Sequence, residues 1–198
     1  MILSLQGCMA VGKTTAVRYL QENALRMKYL LPLKRKWFIG KENVDVLNVD
    51  NLNADEVSKL IIKTLRTTNI KDYSAEYIEN DVKMFTPDGV IERAGWMHFY
   101  VISDKEAIVG CGAIGPYWGK EDESSLFNIF VLPEYQGKGV GRKIIETLEK
   151  DEYFLRAKRV EIPASITACE FYKKMGYTYK NGIDVVDEEQ LFRLEKFR

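Results

Sequence analysis

A strand that ends on a glycine-rich turn is the feature that most constrains this sequence. Residues 130–142 read FVLPEYQGKGVGR, in which an apolar run stops at Pro133 and alternating glycines lead into a helical pattern. Glycine permits positive φ and places no Cβ between the backbone and a ligand. The first N–H groups of a helix have no internal partner, and together with the helix dipole they favour an anion. Such a turn is either a tight strand-to-helix connection or a pyrophosphate site, to which Lys138 and Arg142 add positive charge.

The composition excludes several classes of protein. The 198 residues have a formal net charge of zero, which argues against a general nucleic-acid binder, because such proteins carry a basic excess. The three cysteines are far apart and His98 is the single histidine, so neither a disulfide framework nor a metal site is predicted. The N-terminus lacks the basic region of a signal peptide, and no apolar run reaches the ~20 residues that cross a bilayer. We therefore expect a cytoplasmic protein without membrane or nucleic-acid partners.

The periodicity of apolar residues predicts an α+β fold with a mostly antiparallel central sheet flanked by helices. Strands 96–102, 107–114 and 125–132 are expected to form an antiparallel meander. The other predicted strands are 44–49, 159–163, 177–180 and 191–197, and the predicted helices are 53–67, 74–84, 141–150 and 166–175. A break at residues 31–43, with proline, glycine and a basic cluster, separates an N-terminal βα extension (1–43) from the main domain (44–198).

Two motifs resemble the GNAT superfamily of N-acetyltransferases. The turn matches the family signature Q/R-x-x-G-x-G/A at Gln136, Gly139 and Gly141, and residues 168–177, which read ACEFYKKMGY, resemble the second motif of the family. The resemblance covers roughly residues 45–198. It implies a GNAT-type fold and the transfer of an acetyl group from acetyl-CoA to a small-molecule or peptide amine, by direct attack in a ternary complex.

The resemblance also implies where acetyl-CoA lies, namely where strands 125–132 and 159–163 splay apart. The backbone of the first strand would pair with the pantetheine arm and polarise the thioester carbonyl, and the glycine turn would hold the pyrophosphate. Ser165 stands where the family often has asparagine, and it can bond the pantetheine or cap the following helix. The residues implied in binding the cofactor are Phe130, Val131, Leu132, Gln136, Gly137, Lys138, Gly139, Val140, Gly141, Arg142 and Ser165.

Tyr172 matches the family tyrosine near the CoA sulfur, where a phenol can donate a proton to the leaving thiolate. The alternative is that Tyr172 is a packing aromatic on an amphipathic helix. The general base is not identified, because Asn128 lies in the strand where many relatives carry a glutamate. A water chain or His98 can take that role, although a lone histidine in a strand is more often structural. The acids of residues 72–88 either attract a cationic amine or form a solvated helix face.

A second motif belongs to another class of protein. Residues 7–14, GCMAVGKT, match the P-loop pattern G-x-x-x-x-G-K-[ST] between a predicted strand and a predicted helix. Lys13 would reach the phosphates of a nucleotide and Thr14 would ligate Mg²⁺. Metal-binding acids are not evident, so the segment is interpreted as a truncated P-loop beginning without ATPase activity. A lone βα unit cannot bury its apolar face, so it is expected to pack on the main domain or in a homodimer.

The sequence thus supports three hypotheses about function. The first is an acetyl-CoA-dependent N-acetyltransferase. The second is a kinase or ATPase that binds a nucleotide through residues 7–14. The third is a catalytically weak CoA-binding sensor with the GNAT fold, which the missing strand glutamate keeps open.

Overall fold

The computed structural model of the chain describes residues 36–39, 42–47, 54–104 and 107–198. The P-loop-like residues 7–14, with the strand and the helix predicted around them, lie outside the described residues. Within the described part of the chain, no helix combines the length and apolar character needed to cross a membrane.

One eight-stranded sheet organises the described residues, in the order β1-β2-β3-β4-β5-β6-β8-β7. Neighbouring strands from β1 to β5 are antiparallel, as are β6–β8 and β8–β7, whereas β5 and β6 are parallel. The predicted α+β class with a mostly antiparallel sheet and a central meander is therefore confirmed. The strands are β1 (Lys36–Ile39), β2 (Glu42–Leu47), β3 (His98–Asp104), β4 (Ala107–Pro116), β5 (Glu123–Val131), β6 (Arg159–Ala164), β7 (Thr178–Tyr179) and β8 (Phe192–Phe197).

The sheet starts earlier in the chain than the sequence pattern indicates. Strand β1 lies inside the segment interpreted as a junction, and it pairs with β2 from Lys36↔Asp45 to Ile39↔Glu42. Part of this segment therefore forms an edge strand of the sheet. The domain division at residue 43 stays a prediction.

Within the described ranges six α-helices flank the sheet, and two of them are absent from the sequence prediction. Helix α3 begins at Pro87 because the Thr86 side chain accepts a hydrogen bond from the Gly89 N–H and proline suits the first helical turn. Helix α5 begins in the same way, with the Asp151 carboxylate accepting from the Tyr153 N–H. The helices are α1 (Ala54–Thr67), α2 (Ala75–Val82), α3 (Pro87–Ala94), α4 (Val140–Leu148), α5 (Glu152–Arg156) and α6 (Cys169–Lys174).

Two hydrophobic cores cover the two faces of the sheet. Alternate residues of β3 point to opposite faces, so Phe99 packs in the core under α1–α3, and Tyr100 packs in the core under α4–α6. Helix α4 approaches β4 closely, because a Cβ on Gly112 would lie 2.4 Å from Cγ2 of Ile144. These contacts fix α1, α2 and α4 around the end of β5, where the candidate site lies.

Candidate active site

A cleft opens where the parallel strands β5 and β6 diverge. The two strands pair only from Glu123↔Arg159 to Ser125↔Glu161, and beyond Ser125 strand β5 has no partner residues in β6. The backbone of β5 on that side is therefore not used in the sheet. The cleft has a volume of about 650 Å³, and its walls come from α1 and α2 on one side and from β6 and α6 on the other.

A buried ion-pair cluster holds the closed end of these diverging strands. The guanidinium of Arg159 forms ion pairs with Glu123 on β5, Glu161 on β6 and Glu195 on β8. The side chains of Arg159 and Glu161 are 13% and 2% exposed, and Lys180 pairs with the same Glu161 oxygen at 2.7 Å, so the arginine and the lysine together compensate the buried carboxylates. The cluster therefore fixes the point from which the cleft opens.

The glycine turn has the backbone conformation that an anion site needs. Gly137 and Gly139 have φ of 73° and 89°, and Gly139 is the residue before the first turn of α4. A Cβ on either glycine would meet nothing within 4 Å, so the space in front of the turn is open. Glycine is required at these positions because of the positive φ, not because a side chain would clash. The first helical hydrogen bond runs from the Lys143 N–H to the Gly139 carbonyl, which leaves the preceding N–H groups of the first turn available. The turn therefore fits a pyrophosphate.

Gly141 has a different role from the other two glycines. A Cβ on Gly141 would lie 3.2 Å from Cζ of Phe171, so glycine here lets the Phe171 ring of α6 pack against α4. The Phe171 ring is partly buried against the core, and it also lines the cleft.

The structure brings most of the predicted site residues together. Nine of them line the cleft: Phe130, Val131, Gln136, Gly137, Gly139, Gly141, Arg142, Ser165 and Tyr172. The predicted side-chain cap by Ser165 is not formed, and its carbonyl instead accepts from the N–H groups of Ala168 and Cys169. The Gln136 amide donates to the Val131 carbonyl at 3.0 Å and to Thr68 at 3.1 Å, so this side chain holds the turn against β5 and α1.

Leu132, Lys138 and Val140 are not among the residues that line the cleft. The Leu132 N–H donates to the Val109 carbonyl at 3.0 Å, so it is not free to pair with a pantetheine arm. The Val140 side chain is buried in the core, which leaves only its backbone for a ligand. The Lys138 ammonium lies 5.5 Å from the centre of the Tyr135 ring, outside the cleft.

A β-bulge bends β5 beside the cleft. The register shifts between Cys111↔Phe130 and Ala113↔Phe127, so β5 has an extra residue there. Asn128 takes the left-handed conformation with φ 53°, which asparagine tolerates better than most residues, and its carbonyl accepts from the Cys111 thiol at 3.3 Å. Asn128 lines the cleft but carries no titratable group.

Tyr172 lines the cleft from α6. Its side chain is 5% exposed, and no hydrogen bond contributes to the pKa of its hydroxyl. Burial raises the pKa of Tyr172 above its ordinary value, so the phenol stays protonated at neutral pH. The ring packs edge-on against Phe171 with centroids 5.1 Å apart, which restricts its orientation.

His98 is not part of the cleft lining, so the structure does not support it as the base. Its Nδ1 lies 2.6 Å from Oδ2 of Asp151, and the same oxygen accepts from the Tyr100 hydroxyl. Because Asp151 also caps α5, this arrangement ties the start of α5 to β3. These contacts favour a structural role for His98.

Asp81 is a cleft residue that the sequence analysis did not single out. Tyr77, Asp81 and Phe85 follow one another at intervals of four residues, which places them on one face of α2 and its extension, and all three line the cleft. This spacing was the available signal. Burial and the nearby Glu189 carboxylate raise the pKa of Asp81 to about 6, and Arg93 opposes the shift.

Asp81 lies between the two points at which its segment contacts α1, the Glu79–Arg66 ion pair and the Phe85–Ser58 hydrogen bond. Thr68, just after α1, contacts Gln136 of the turn, whereas Ser58, near the start of α1, donates to the carbonyl of Phe85. The ten residues from Ser58 to Thr68 correspond to ~15 Å of helix at 1.5 Å per residue. The glycine turn therefore lies at the C-terminal end of α1, and Asp81 lies farther back along this helix.

Comparisons with known proteins agree with this geometry. Residues 95–179 match a family model described as an acetyltransferase (GNAT) domain. The PaiA N-acetyltransferase of Thermoplasma acidophilum, solved in complex with coenzyme A, is 17% identical with a TM-score of 0.66, over 79% of this chain and 99% of that chain. A GCN5-related N-acetyltransferase of Rhodopseudomonas palustris is 20% identical with a TM-score of 0.60, over 84% and 96% of the two chains. No curated protein matches the sequence significantly.

The structural likenesses establish the fold, and the family-model match covers both sequence motifs and the diverging strands β5 and β6. The matched segment runs from β3 to β7, so it includes the glycine turn, Asn128 and Tyr172. This chain therefore contains a GNAT acetyltransferase domain and is an acyltransferase that uses acetyl-CoA.

Proposed function

We propose that acetyl-CoA binds with its pyrophosphate at the glycine turn and its thioester beside Tyr172, and that a primary amine enters from the end of the cleft near Asp81. The observation that supports this orientation is the divergence of β5 from β6 after Ser125, which leaves strand backbone free beside an open helix N-terminus. The pantetheine arm has the hydrogen-bonding groups to occupy that backbone as an added strand.

The proposed reaction divides the work among a few groups. The amine nitrogen attacks the thioester carbonyl carbon, the C–N bond forms, and the C–S bond breaks with its electron pair moving to sulfur. Backbone N–H groups of β5 near the bulge polarise the carbonyl, and Tyr172 donates a proton to the leaving thiolate. A phenol whose pKa is raised by burial is a donor and not a base at neutral pH.

Isothermal titration with acetyl-CoA and, separately, with Mg-ATP tests the proposal. We expect acetyl-CoA to bind and Mg-ATP to leave no heat signal that saturates. Binding of Mg-ATP alone would overturn the proposal and favour a nucleotide-dependent enzyme that uses Lys13. A protein that binds acetyl-CoA but acetylates no member of a broad amine panel would be a CoA-binding sensor.

The N-terminal motif and the cellular context complete the proposal. We propose that residues 7–14 are a fused P-loop remnant, that the extension takes part in a homodimer, and that the protein acts in the cytoplasm. Two buried free thiols, Cys111 and Cys169, suit a reducing compartment. Light scattering at several protein concentrations tests whether the protein is a dimer. The acceptor amine belongs either to a small molecule or to a peptide N-terminus.

A further inference from the structure

The acceptor end of the cleft contains one group that can take up a proton at neutral pH. Among the described residues that line the cleft, Asp81 is the single carboxylate and there is no histidine. Asn128 of β5 carries an amide, which is not a base. His98 is hydrogen-bonded to Asp151 away from the cleft.

The surroundings of Asp81 compensate its carboxylate only in part. The Arg93 charge lowers the pKa of Asp81, but burial and Glu189 raise it more, and no side-chain hydrogen bond contributes. The cation of α3, Arg93, donates to the carbonyls of Met84 and Gly89 at 2.9 Å and lies over the Phe85 ring. The acid of the β7–β8 connection, Glu189, is paired with Arg193 at 2.6 Å.

The other polar groups at this end are already engaged or neutral. The Tyr73 hydroxyl donates to the Gln190 carbonyl at 3.0 Å and accepts from the Ile166 N–H at 2.9 Å. The Tyr77 hydroxyl donates to the Glu189 carbonyl at 2.8 Å. The cationic residues of the cleft lining, Arg142 and Lys174, come from α4 and α6, on the side of the glycine turn and Tyr172. The acceptor end is therefore acidic and aromatic.

We propose that Asp81 is the general base for the acceptor and that the acceptor is a primary amine that enters as its cation. The proposal rests on the proposed acetyl transfer. An ammonium group has no lone pair for attack, so it must lose a proton first. Asp81 takes that proton, the amine then attacks, and the second nitrogen proton passes to the thiolate released from the thioester, through Tyr172. The products are the N-acetylated amine, CoA as a thiol, and one proton that Asp81 returns to solvent.

The electrostatics of the site agree with this assignment. Burial, the first cause, and the nearby Glu189 carboxylate raise the pKa of Asp81 to about 6, which lies close to the pH range in which a carboxylate base works best. The same partly compensated charge attracts an ammonium ion into the cleft and disfavours an acceptor that carries a carboxylate.

The experiment compares Asp81→Asn, Asp81→Glu and Glu76→Gln with the unmodified protein. Glu76 is an exposed acid on the same helix and does not line the cleft, so Glu76→Gln removes the same charge elsewhere. Thiol release from saturating acetyl-CoA is measured with butylamine, diaminobutane and γ-aminobutyrate between about pH 5.5 and about pH 9, and titration calorimetry gives the affinity for acetyl-CoA.

We expect kcat/KM for the two cationic amines to fall below about pH 6 in the unmodified protein, and γ-aminobutyrate to be the poorest acceptor. Asp81→Asn is expected to lower kcat by about 10²–10⁴-fold, as the loss of a general base requires, while the affinity for acetyl-CoA is kept. The same change should abolish the fall in rate below about pH 6, which is the acidic limb of the pH profile. Asp81→Glu should restore part of the rate, and Glu76→Gln should match the unmodified protein.

Three outcomes overturn the proposal in distinguishable ways. An Asp81→Asn protein that keeps both kcat and the acidic limb would show that Asp81 is not the base. An unmodified protein that binds acetyl-CoA but acetylates none of the amines, or prefers γ-aminobutyrate, would refute a cationic acceptor. An unmodified protein that does not bind acetyl-CoA would overturn the proposed function itself.

Discussion

Replacing Asp81 with asparagine is expected to stabilise the folded protein at neutral pH. The pKa of this carboxyl rises from its ordinary value of 3.8 to about 6, with burial as the first cause and the Glu189 carboxylate as the second. The folded chain therefore binds more protons than the unfolded chain between these two values, and folding stability decreases as the pH rises through about 6. At neutral pH the ionised Asp81 is thus a destabilising group.

The size of the effect follows from the same shift. A change of one pKa unit corresponds to about 1.4 kcal/mol, so the upper limit is about 3 kcal/mol. Asp81 is only half-buried, and screening by solvent reduces the expected gain for Asp81→Asn to about 1–2 kcal/mol. In a chain of this size such a gain raises Tm by about 2–8 °C.

Thermal unfolding at about pH 7.5 and about pH 4, followed by circular dichroism, measures this effect. We expect Asp81→Asn to raise Tm at the higher pH and to have little effect at the lower pH, where the native carboxyl is protonated. Glu76→Gln is the control and should change Tm equally little at both values. A Tm gain that is larger at pH 4 than at pH 7.5, or no gain at pH 7.5, would refute the reasoning. If Asp81→Asn is more stable than the unmodified protein but loses turnover, the ionised Asp81 carboxylate lowers stability and is needed for activity.

Other consequences of the structure can be measured directly. Gly139→Ala and Gly119→Ala both place a Cβ at positive φ, so each should lower the stability of the protein by about 1–2 kcal/mol. Titration calorimetry should show weaker acetyl-CoA binding for Gly139→Ala alone, and equal affinities of the two variants would contradict the phosphate site. Tyr172→Phe removes a cleft-lining hydroxyl whose pKa no hydrogen bond perturbs, so Tm and acetyl-CoA affinity should stay within error while kcat falls by about 10²-fold or more. An unchanged kcat would remove the proton-donor role. Arg159→Met leaves Lys180 as the remaining cation beside the buried Glu161, so it should lower the free energy of unfolding in urea by about 3 kcal/mol, the lower part of the range for breaking a buried pair. A neutral effect would mean that the ion-pair cluster does not hold β5 to β6. His98→Gln should reduce Tm without altering the pH profile of kcat, and loss of the acidic limb would return His98 to the reaction.

Local patterns predicted much of the fold because they are determined by neighbours in the sequence. The apolar spacing predicted α1 as residues 53–67, and the helix occupies Ala54–Thr67. The glycine and proline residues around 133–141 marked the end of β5 and the start of α4. Helices α3 and α5 were missed because they are short, and their caps at Thr86 and Asp151 are single side-chain hydrogen bonds.

Some features of the candidate site could likewise be predicted from the sequence, and others could not. The sequence by itself determined the glycine turn, because positive φ at positions such as Gly139 is a property of the residue type and the local backbone. It also placed Tyr172 on a helix after β6. It did not distinguish Leu132 from its neighbours, because whether a backbone N–H is free depends on the strand beside it, here on Val109 of β4.

Only the tertiary structure decided which ionisable groups can take part in the reaction. His98 was the natural candidate for a base by residue type, but folding places it against Asp151 and away from the cleft. Asp81 was one acid among several, and it became the cleft carboxylate because α2 packs beside the diverging strands and buries it near Glu189. Burial and charge neighbours come from residues far apart in the chain, so the protonation of a side chain is a property of the fold, whereas the conformation of a glycine turn can be inferred from the sequence alone.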